Sequence, residues 1–188
     1  MARVLISATR ATGGTGTDGE REALYQHLLK PETKLSSRLL GIVRRSLVIK
    51  DDKGAWARPD SVALLPTRDA LLASRVIPAP APEIRQRAEL LDRLSIRRKI
   101  VWEDLVALAR VVETEPTLAD AFEDLLRRHQ NLITPRVVRV LSNIAFLRSR
   151  ANGLAAPRRL HIPTAVNLSL LADTELLPDE RAIYRHLG

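Results

Sequence analysis

The chain contains no cysteine among its 188 residues. This absence excludes a disulfide framework, a thiolate metal site and a cysteine nucleophile. Aromatic residues make up only 3% of the chain, so the core must consist of Leu, Val, Ile and Ala, and few rings remain for stacking on bases or sugars. No apolar run approaches the ~20 residues that span a bilayer. Residues 1–8 also lack the length and cleavage pattern of a signal peptide. We therefore expect a cytoplasmic protein without a membrane partner.

The usual motifs of cofactor sites are missing as well. The apolar run Arg3–Thr9 reads as a strand, and the glycine-rich stretch Thr12–Thr17 follows it. These glycines do not have the G-x-G-x-x-G spacing, and no second strand ending in an acidic residue follows about 20 positions later, as a dinucleotide-binding fold requires. A flexible turn is the better interpretation, and we predict no bound cofactor.

Catalytic and metal-binding patterns are equally absent. The four histidines are scattered, with no second ligand at metal-binding spacing; they are His27, His129, His161 and His186. The carboxylate pairs Asp51-Asp52 and Glu103-Asp104 are explained by a turn and by the first turn of a helix. There is no G-x-S-x-G elbow, and Ser36-Ser37 carries no sign of activation. We predict neither a metal site nor an enzyme.

The charge that is present is unevenly distributed. The net charge is +8, but 25 of the 30 cations are Arg, a usage that GC-rich coding alone can produce. Residues 1–99 carry 19 cations and 11 anions, residues 100–126 carry one and seven, and residues 127–188 carry ten and four. An acidic block between two basic ones predicts docking of one part of the chain on another part or on a partner.

Hydrophobic spacing predicts an α+β fold dominated by helices. Leu105, Leu108, Ala109 and Val112 form the clearest apolar stripe, on a helix that begins at Trp102. Helices are also predicted for 18–29, 33–44, 68–74, 83–94, from Thr117, and 136–141, with Asp18 as the first cap. The proline-rich stretch 78–82 is the best internal boundary. We divide the chain into an N-terminal strand, helices and first repeat-like unit (1–80), a helical middle (81–142) and a second repeat-like unit (143–188).

One pattern occurs twice. Residues 47–78 read as an apolar strand, a polar turn ending in Gly54, Pro59, a Leu-Leu helix and Pro78. Residues 144–178 give the same order, with Gly153, Pro157 and Pro178 at the matching landmarks. Neither stretch has a core alone, so each must pack on neighbouring helices, as the units of repeat proteins do. The sequence thus predicts two diverged β-hairpin-plus-helix units.

This phrase resembles the repeating segment of sacsin and of large bacterial proteins similar to it. In those proteins an ATPase domain of the gyrase and histidine-kinase type precedes long α/β stretches in which the phrase recurs. The resemblance implies a segment of a chaperone-like or defence-type protein. The ATPase pocket of that class needs a Glu and an Asn one helical turn apart and an Asp-x-Gly-x-Gly loop. This chain has neither, so the resemblance implies no ATP binding here.

Two sets of residues are candidate binding sites. A helix through the basic stretch would bring Arg85, Arg93 and Arg97 near one another, so that with Arg98 and Lys99 they can line a phosphate backbone. A second basic set is Arg127, Arg128, Arg136 and Arg139. Solvated helix faces, or pairing with acidic residues of the chain, explain both basic sets as well. Trp56 and Trp102 are single residues of the type preferred as protein-interface anchors, although a role in the core explains each as well.

Two functions follow from this sequence. The first is a non-catalytic structural or protein-interaction segment of a larger assembly, with another domain or a separate protein as its partner. The alternative is a basic helical module that binds DNA or RNA through Arg97, Arg98 and Lys99. Partner identity and oligomeric state are left open by the sequence.

Overall fold

A computed structural model of the chain describes residues 17–30 and 36–178. The described residues fall into two compact units. Unit 1 contains the described residues up to Ala70 together with Ile77–Lys99, and unit 2 contains Leu71–Val76 together with those from Ile100 onward. The chain thus leaves unit 1 for six residues and then returns to it.

Unit 1 is a set of short helices around a small hairpin. Its elements are α1 (Asp18–Leu28), α2 (Ser37–Val43), β1 (Ile49–Lys50), β2 (Trp56–Ala57), a 3-10 turn (Pro59–Ser61), the first half of α3 (Thr67–Ala73), α4 (Pro82–Arg85) and α5 (Ala88–Leu94). The cap of α1 is Thr17 rather than the predicted Asp18. The Glu20 N–H donates to the Thr17 hydroxyl and the Glu20 carboxylate accepts from the Thr17 N–H, a reciprocal pair that satisfies two helix-end donors.

The core of unit 1 joins the helices to the hairpin. Val43, Val48 and Ile49 are fully buried, and they pack in one cluster with residues from α1 and α5. The remaining buried members of this cluster are Leu24, Tyr25, Leu28, Leu39, Ala57, Val62, Ile84, Leu90, Leu91, Leu94 and Ile96. As the composition predicts, aliphatic side chains supply nearly all of this core.

Unit 2 has the same kinds of element in a similar order. Beyond the end of α3 it contains α6 (Trp102–Thr114), a 3-10 turn (Pro116–Leu118), α7 (Ala119–Arg128), a 3-10 turn (Gln130–Leu132), α8 (Pro135–Leu141), β3 (Leu147–Arg148), β4 (Leu154–Ala155), and two 3-10 turns (Pro157–Arg159 and Asp173–Glu175) that flank α9 (Ala165–Leu170). Phe122 and Phe146 are fully buried and meet edge to face, with their ring centroids 5.2 Å apart. The predicted stripe of α6 is buried as expected.

These elements confirm the predicted fold class, a helix-dominated α+β chain with two hairpin-plus-helix units and helices between them. The prediction of one helix over 83–94 is wrong, because α4 ends at Arg85 and Arg87 has a non-helical backbone. The predicted strand Arg3–Thr9 and most of the glycine-rich stretch lie outside the described residues. The boundaries proposed between 80 and 81 and between 142 and 143 stay a prediction.

The two hairpins have identical register. Ile49 pairs with Ala57, and Leu147 pairs with Ala155, in each case 98 residues further along the chain. The Asp51 N–H donates to the Ala55 carbonyl (2.9 Å), and the Ser149 N–H donates to the Gly153 carbonyl (2.8 Å). Each second strand is followed by a 3-10 turn that begins at a proline.

This equivalence corrects the alignment of the two copies. Gly54 and Asn152 are the residues with positive φ in the two turns, at 80° and 64°. The counterpart of Gly54 is therefore Asn152 and not Gly153, because Asn tolerates the left-handed region better than most side chains. The pairing of Pro78 with Pro178 is also out of register. The Pro78 carbonyl accepts from Ala63, and its equivalent is the Glu175 carbonyl, which accepts from His161.

The copies extend further upstream than the sequence phrase. Helix α8 begins and ends 98 residues after α2, and the same spacing relates the ion pair Lys50–Glu22 to Arg148–Asp120. The spacing falls to 97 between His161 and Thr164, where the second copy is one residue shorter. We define the first copy as residues 17–81 and the second copy as residues 115–178.

We predict opposite effects for the same substitution at two glycines. Gly54→Ala should lower the free energy of unfolding by about 1 kcal/mol, because an added Cβ meets no atom within 4 Å but the left-handed backbone remains unfavourable. Gly41→Ala is the control, in the interior of α2 with open space around it, and should raise stability by about 0.5–1 kcal/mol. Urea unfolding midpoints measure both. An unchanged or raised midpoint for Gly54→Ala would contradict the assignment of the turn.

Candidate interaction surfaces

Trp56 belongs to a cation and ring cluster on the hairpin of unit 1. The Lys50 Nζ lies 5.2 Å from the Trp56 ring centroid and 5.5 Å from that of Tyr25. The two rings meet edge to face, with centroids 6.0 Å apart. The same Nζ is 2.7 Å from the Glu22 carboxylate on α1. The half-buried Trp56 thus packs against the unit 1 core and helps to hold the hairpin on α1.

Two shifted pKa values come from this cluster and its neighbour. The hydrogen bond from Lys50, together with one from Gln26, lowers the pKa of Glu22. Burial raises the pKa of the Tyr25 hydroxyl, and its 2.9 Å hydrogen bond to the Glu83 carboxylate raises that pKa further. Both shifts have structural causes, since each group bridges two elements of unit 1.

Trp102 lies at the start of α6 in unit 2 and is half-buried. The Arg136 guanidinium carbon is 5.0 Å from the centroid of its ring, a distance at which the cation is attracted to the ring face. This contact joins the start of α6 to α8. Arg136, a member of the second basic set, is therefore engaged by a side chain of its own unit.

The first basic set does not lie on one helix. Arg85 ends α4, Arg93 lies in α5, and Arg97 follows Ser95, whose left-handed backbone (φ 57°) ends α5. The expectation that a continuous helix gathers Arg85, Arg93 and Arg97 is wrong for this reason. Arg97 instead pairs with Ala63 through a parallel backbone bridge.

Several of these cations have partners within unit 1. Arg85 Nε donates to the Pro80 carbonyl at 2.6 Å, and Arg98 pairs with Asp92 at 2.6 Å. Arg93 and Arg97 are half-buried, whereas Lys99 is exposed. The charge that this set presents to a phosphate backbone is thus smaller than the sequence suggests.

The acidic block pairs in part inside unit 2. Asp120 lies 3.3 Å from Arg148, Asp124 lies 2.8 Å from Arg127, and Glu115 lies 3.6 Å from Arg75. All three pairs are at least partly exposed, so each is worth only about 0–1 kcal/mol. Asp120–Arg148 and Glu115–Arg75 join separate elements of unit 2, as the first of the two options predicts, whereas Asp124–Arg127 is a local pair within α7.

A cleft between α6 and α8 was not anticipated from the sequence. It has a volume of about 650 Å³ and is open to solvent. Its polar lining includes Arg110, Glu113, Arg139 and Asn143. Glu113 accepts from the Ala145 N–H at 3.3 Å, and Asn143 accepts from Arg158 at 2.5 Å. The one sign of this cleft in the sequence is Arg110, which is the single cation of residues 100–126. The cleft has the charge to hold an acidic group, but its walls are exposed.

Three of the five large hydrophobic side chains that are exposed in residues 17–30 and 36–178 lie on α9. No residue of this helix is buried. Val166 is 64% exposed, Leu168 is 45% exposed and Leu170 is 75% exposed. Val166 and Leu170 are four positions apart and so share one side of the helix. We call Val166, Leu168 and Leu170 the α9 apolar row.

Within residues 17–30 and 36–178, no three His, Asp or Glu side chains are grouped so that they can hold a metal ion. None of the helices described there is long and apolar enough to cross a bilayer.

Comparison with protein-family models, curated proteins and solved structures finds no match to this chain.

We predict that Tyr25 makes stability fall at alkaline pH. Because its pKa is raised in the folded state above its ordinary value of about 10, the stabilisation is present below pH 10 and is lost as the pH rises above that value. At pH 11 the loss should reach about 1 kcal/mol. Urea unfolding between pH 8 and 11 measures it.

Two variants isolate this effect from the titration of other groups. Tyr25→Phe should show a shallower alkaline loss than the unaltered chain. Glu83→Gln should show an intermediate one, because burial still raises the Tyr25 pKa after the carboxylate has gone. An alkaline slope that is the same in all three proteins would refute the assignment.

Proposed function

We propose that this chain is a non-catalytic structural and protein-interaction segment, part of a larger chaperone-like or defence-type assembly in the cytoplasm. The observation that carries the proposal is the combination of two copies of one unit with an apolar row left exposed on the second. Repeated units of this kind build bodies whose surfaces bind other proteins. Exposed apolar side chains that share one side of a helix, as Val166 and Leu170 do, are typical of such surfaces.

The contacts of the cationic residues support a protein partner over a nucleic acid. Arg98 is paired with Asp92, Arg85 is bonded to a backbone carbonyl, and Arg136 lies over Trp102. Nucleic-acid binding through Arg97, Arg98 and Lys99 remains the alternative function. Of these three residues, Lys99 is exposed, whereas Arg97 is half-buried and Arg98 is paired with Asp92.

The proposed relation to the repeating segment of sacsin is supported by the hairpin, proline turn and helix that recur in the two copies. In this proposal the segment contributes surface and spacing to the assembly. Any ATPase activity would belong to another part of that assembly. We propose no enzymatic activity, cofactor or metal for these residues.

The salt dependence of nucleic-acid binding separates the two functions. Fluorescence anisotropy with labelled single- and double-stranded DNA and RNA measures this from 20 to 300 mM salt, a range of roughly one decade. The matched variant has Arg97, Arg98 and Lys99 changed together to Ala. We expect the unaltered chain to show no nucleic-acid binding that this variant lacks. Binding that falls by about one log unit per log unit of salt for each neutralised phosphate, and that the triple change removes, would establish the alternative function.

Photo-crosslinking tests the apolar row directly. A benzophenone amino acid at position 170 should form covalent adducts with protein when the chain is irradiated in cell extract, because Leu170 is exposed in the α9 apolar row. The same probe at position 71 is the control, since Leu71 is equally exposed, at 76% against 75%. Equal crosslinking at both positions, or adducts that nuclease removes, would count against a specific protein surface.

A further inference from the structure

Residues 127–172 contain eight arginines and neither aspartate nor glutamate. The equivalent positions of the first copy, residues 29–75, carry ten cations and five acidic residues. Since both copies form the same helix, hairpin and proline turn, the fold of the unit does not require the loss of these acids. A basic stretch without acids favours a surface that contacts negative charge.

Most of the eight arginines are engaged within the chain. Five have a carboxylate, a ring or another group as partner, namely Arg127, Arg128, Arg136, Arg148 and Arg150. The other three, Arg139, Arg158 and Arg159, are exposed and form no ion pair within residues 17–30 and 36–178. Their charge is available to a partner.

Two of these three arginines lie with Arg110 at the cleft between α6 and α8. Arg110 and Arg139 line it, and so does Asn143, which follows α8. The Arg158 guanidinium donates to the Asn143 side-chain oxygen at 2.5 Å, and the Arg158 N–H donates to the Ser142 carbonyl at 3.3 Å. The Asn143 amide donates in turn to the Arg139 carbonyl at 2.7 Å. We call Arg110, Arg139 and Arg158 the cleft arginines.

The cleft arginines are not needed to build the unit. With the spacing of 98 residues, Arg139 corresponds to Gly41 and Arg158 corresponds to Asp60. The first copy forms the same helix and the same proline turn with those residues. Arg110 lies before the second copy, so the repeat does not require it either. Binding explains this gathering of cations better than folding does.

The rest of the lining indicates what kind of anion fits. Val140 and Ile144 are its apolar residues, and Glu113 is its acid. The lining has no ring on which a base can stack, and Glu113 would repel a continuous phosphate backbone. The cleft is also too open to enclose a small molecule, as ligand pockets do. A peptide meets none of these obstacles, because its acidic side chains can alternate with apolar ones and avoid Glu113.

We propose that the cleft between α6 and α8 binds an acidic segment of a partner protein, whose carboxylates contact Arg110, Arg139 and Arg158. Guanidinium groups bind carboxylates through two parallel N–H donors, which makes the contact strong and directional. The proposal rests on the protein-interaction function above and names the chemistry of the partner. Because the cleft arginines are exposed, this binding weakens as the salt concentration rises.

Fluorescence anisotropy on the full chain tests the proposal with a labelled peptide of about 12 residues in which Glu alternates with Ala, so that an extended peptide presents its carboxylates on one side. The same peptide with Gln in place of Glu is the neutral probe. We expect the Glu peptide to bind and the Gln peptide not to bind. Changing Arg110→Gln and Arg139→Gln together should weaken binding of the Glu peptide by about tenfold or more.

The matched control is the double change Arg38→Gln and Arg45→Gln. It removes the same charge from two exposed arginines in and directly after α2, the counterpart of α8. The affinity for the Glu peptide should stay within about twofold, because these residues act only through long-range attraction that salt screens. Urea unfolding midpoints equal to that of the unaltered chain show that each variant is folded.

Three results would overturn the proposal. The first is no binding of the Glu peptide at low salt, and the second is an equal loss of affinity in the two double variants. The third is tighter binding of an oligothymidylate of equal charge that the cleft variant loses, which would assign the cleft to nucleic acid. Crosslinking of protein at position 170 in any of these cases would leave the protein-interaction function standing and remove only this partner.

Discussion

The structure depends on burying two very small hairpins. Each has two residues per strand, and a two-stranded hairpin of any length is at best marginally stable in water. The hairpins persist because the residues at and before the first strand are buried in a helical core, Val48 and Ile49 in unit 1 and Phe146 and Leu147 in unit 2. The helices in turn need those side chains, since their own apolar faces are short. Neither part is a stable body without the other.

The ion pairs on the hairpins determine where each hairpin lies on its neighbouring helix, and they add little to the free energy of unfolding. Lys50–Glu22 and Arg148–Asp120 are partly exposed and join the end of the first strand to the first helix of each copy. Exposed pairs of this kind contribute about 0–1 kcal/mol, yet both copies keep the pair while the residue type changes at both of its positions. What the two copies share is thus a geometry, a cation on the strand facing an acid on the helix, which either side-chain length can satisfy.

The sequence allowed the fold class, both hairpins and helix α6 to be predicted, because turn residues and apolar periodicity are local signals. The repeat was recognised with the wrong register, since Gly153 is adjacent to the residue that has positive φ, Asn152. The sequence does not predict the end of α4 at Arg85, because Gln86 and Arg87 are both good helix formers. Tertiary packing, and not local propensity, ends the helix at this point. For the surfaces, the repeated phrase predicts a Leu-Leu helix in each copy, but no local pattern states whether the apolar side chains of such a helix are covered. The gathering of Arg110 and Arg139 at one cleft likewise depends on helix packing.

Because of the path of the chain through α3, the boundaries of the two repeated copies differ from the boundaries of the two compact units. Because Leu71–Val76 belongs to unit 2 while the residues on both sides belong to unit 1, no single cut yields a complete unit. A fragment ending at the proline-rich stretch would keep six residues whose packing partners had been removed, and the complementary fragment would lack part of its core. Gene duplication can lengthen such an array, but exchanging one module for another requires the neighbours to change with it.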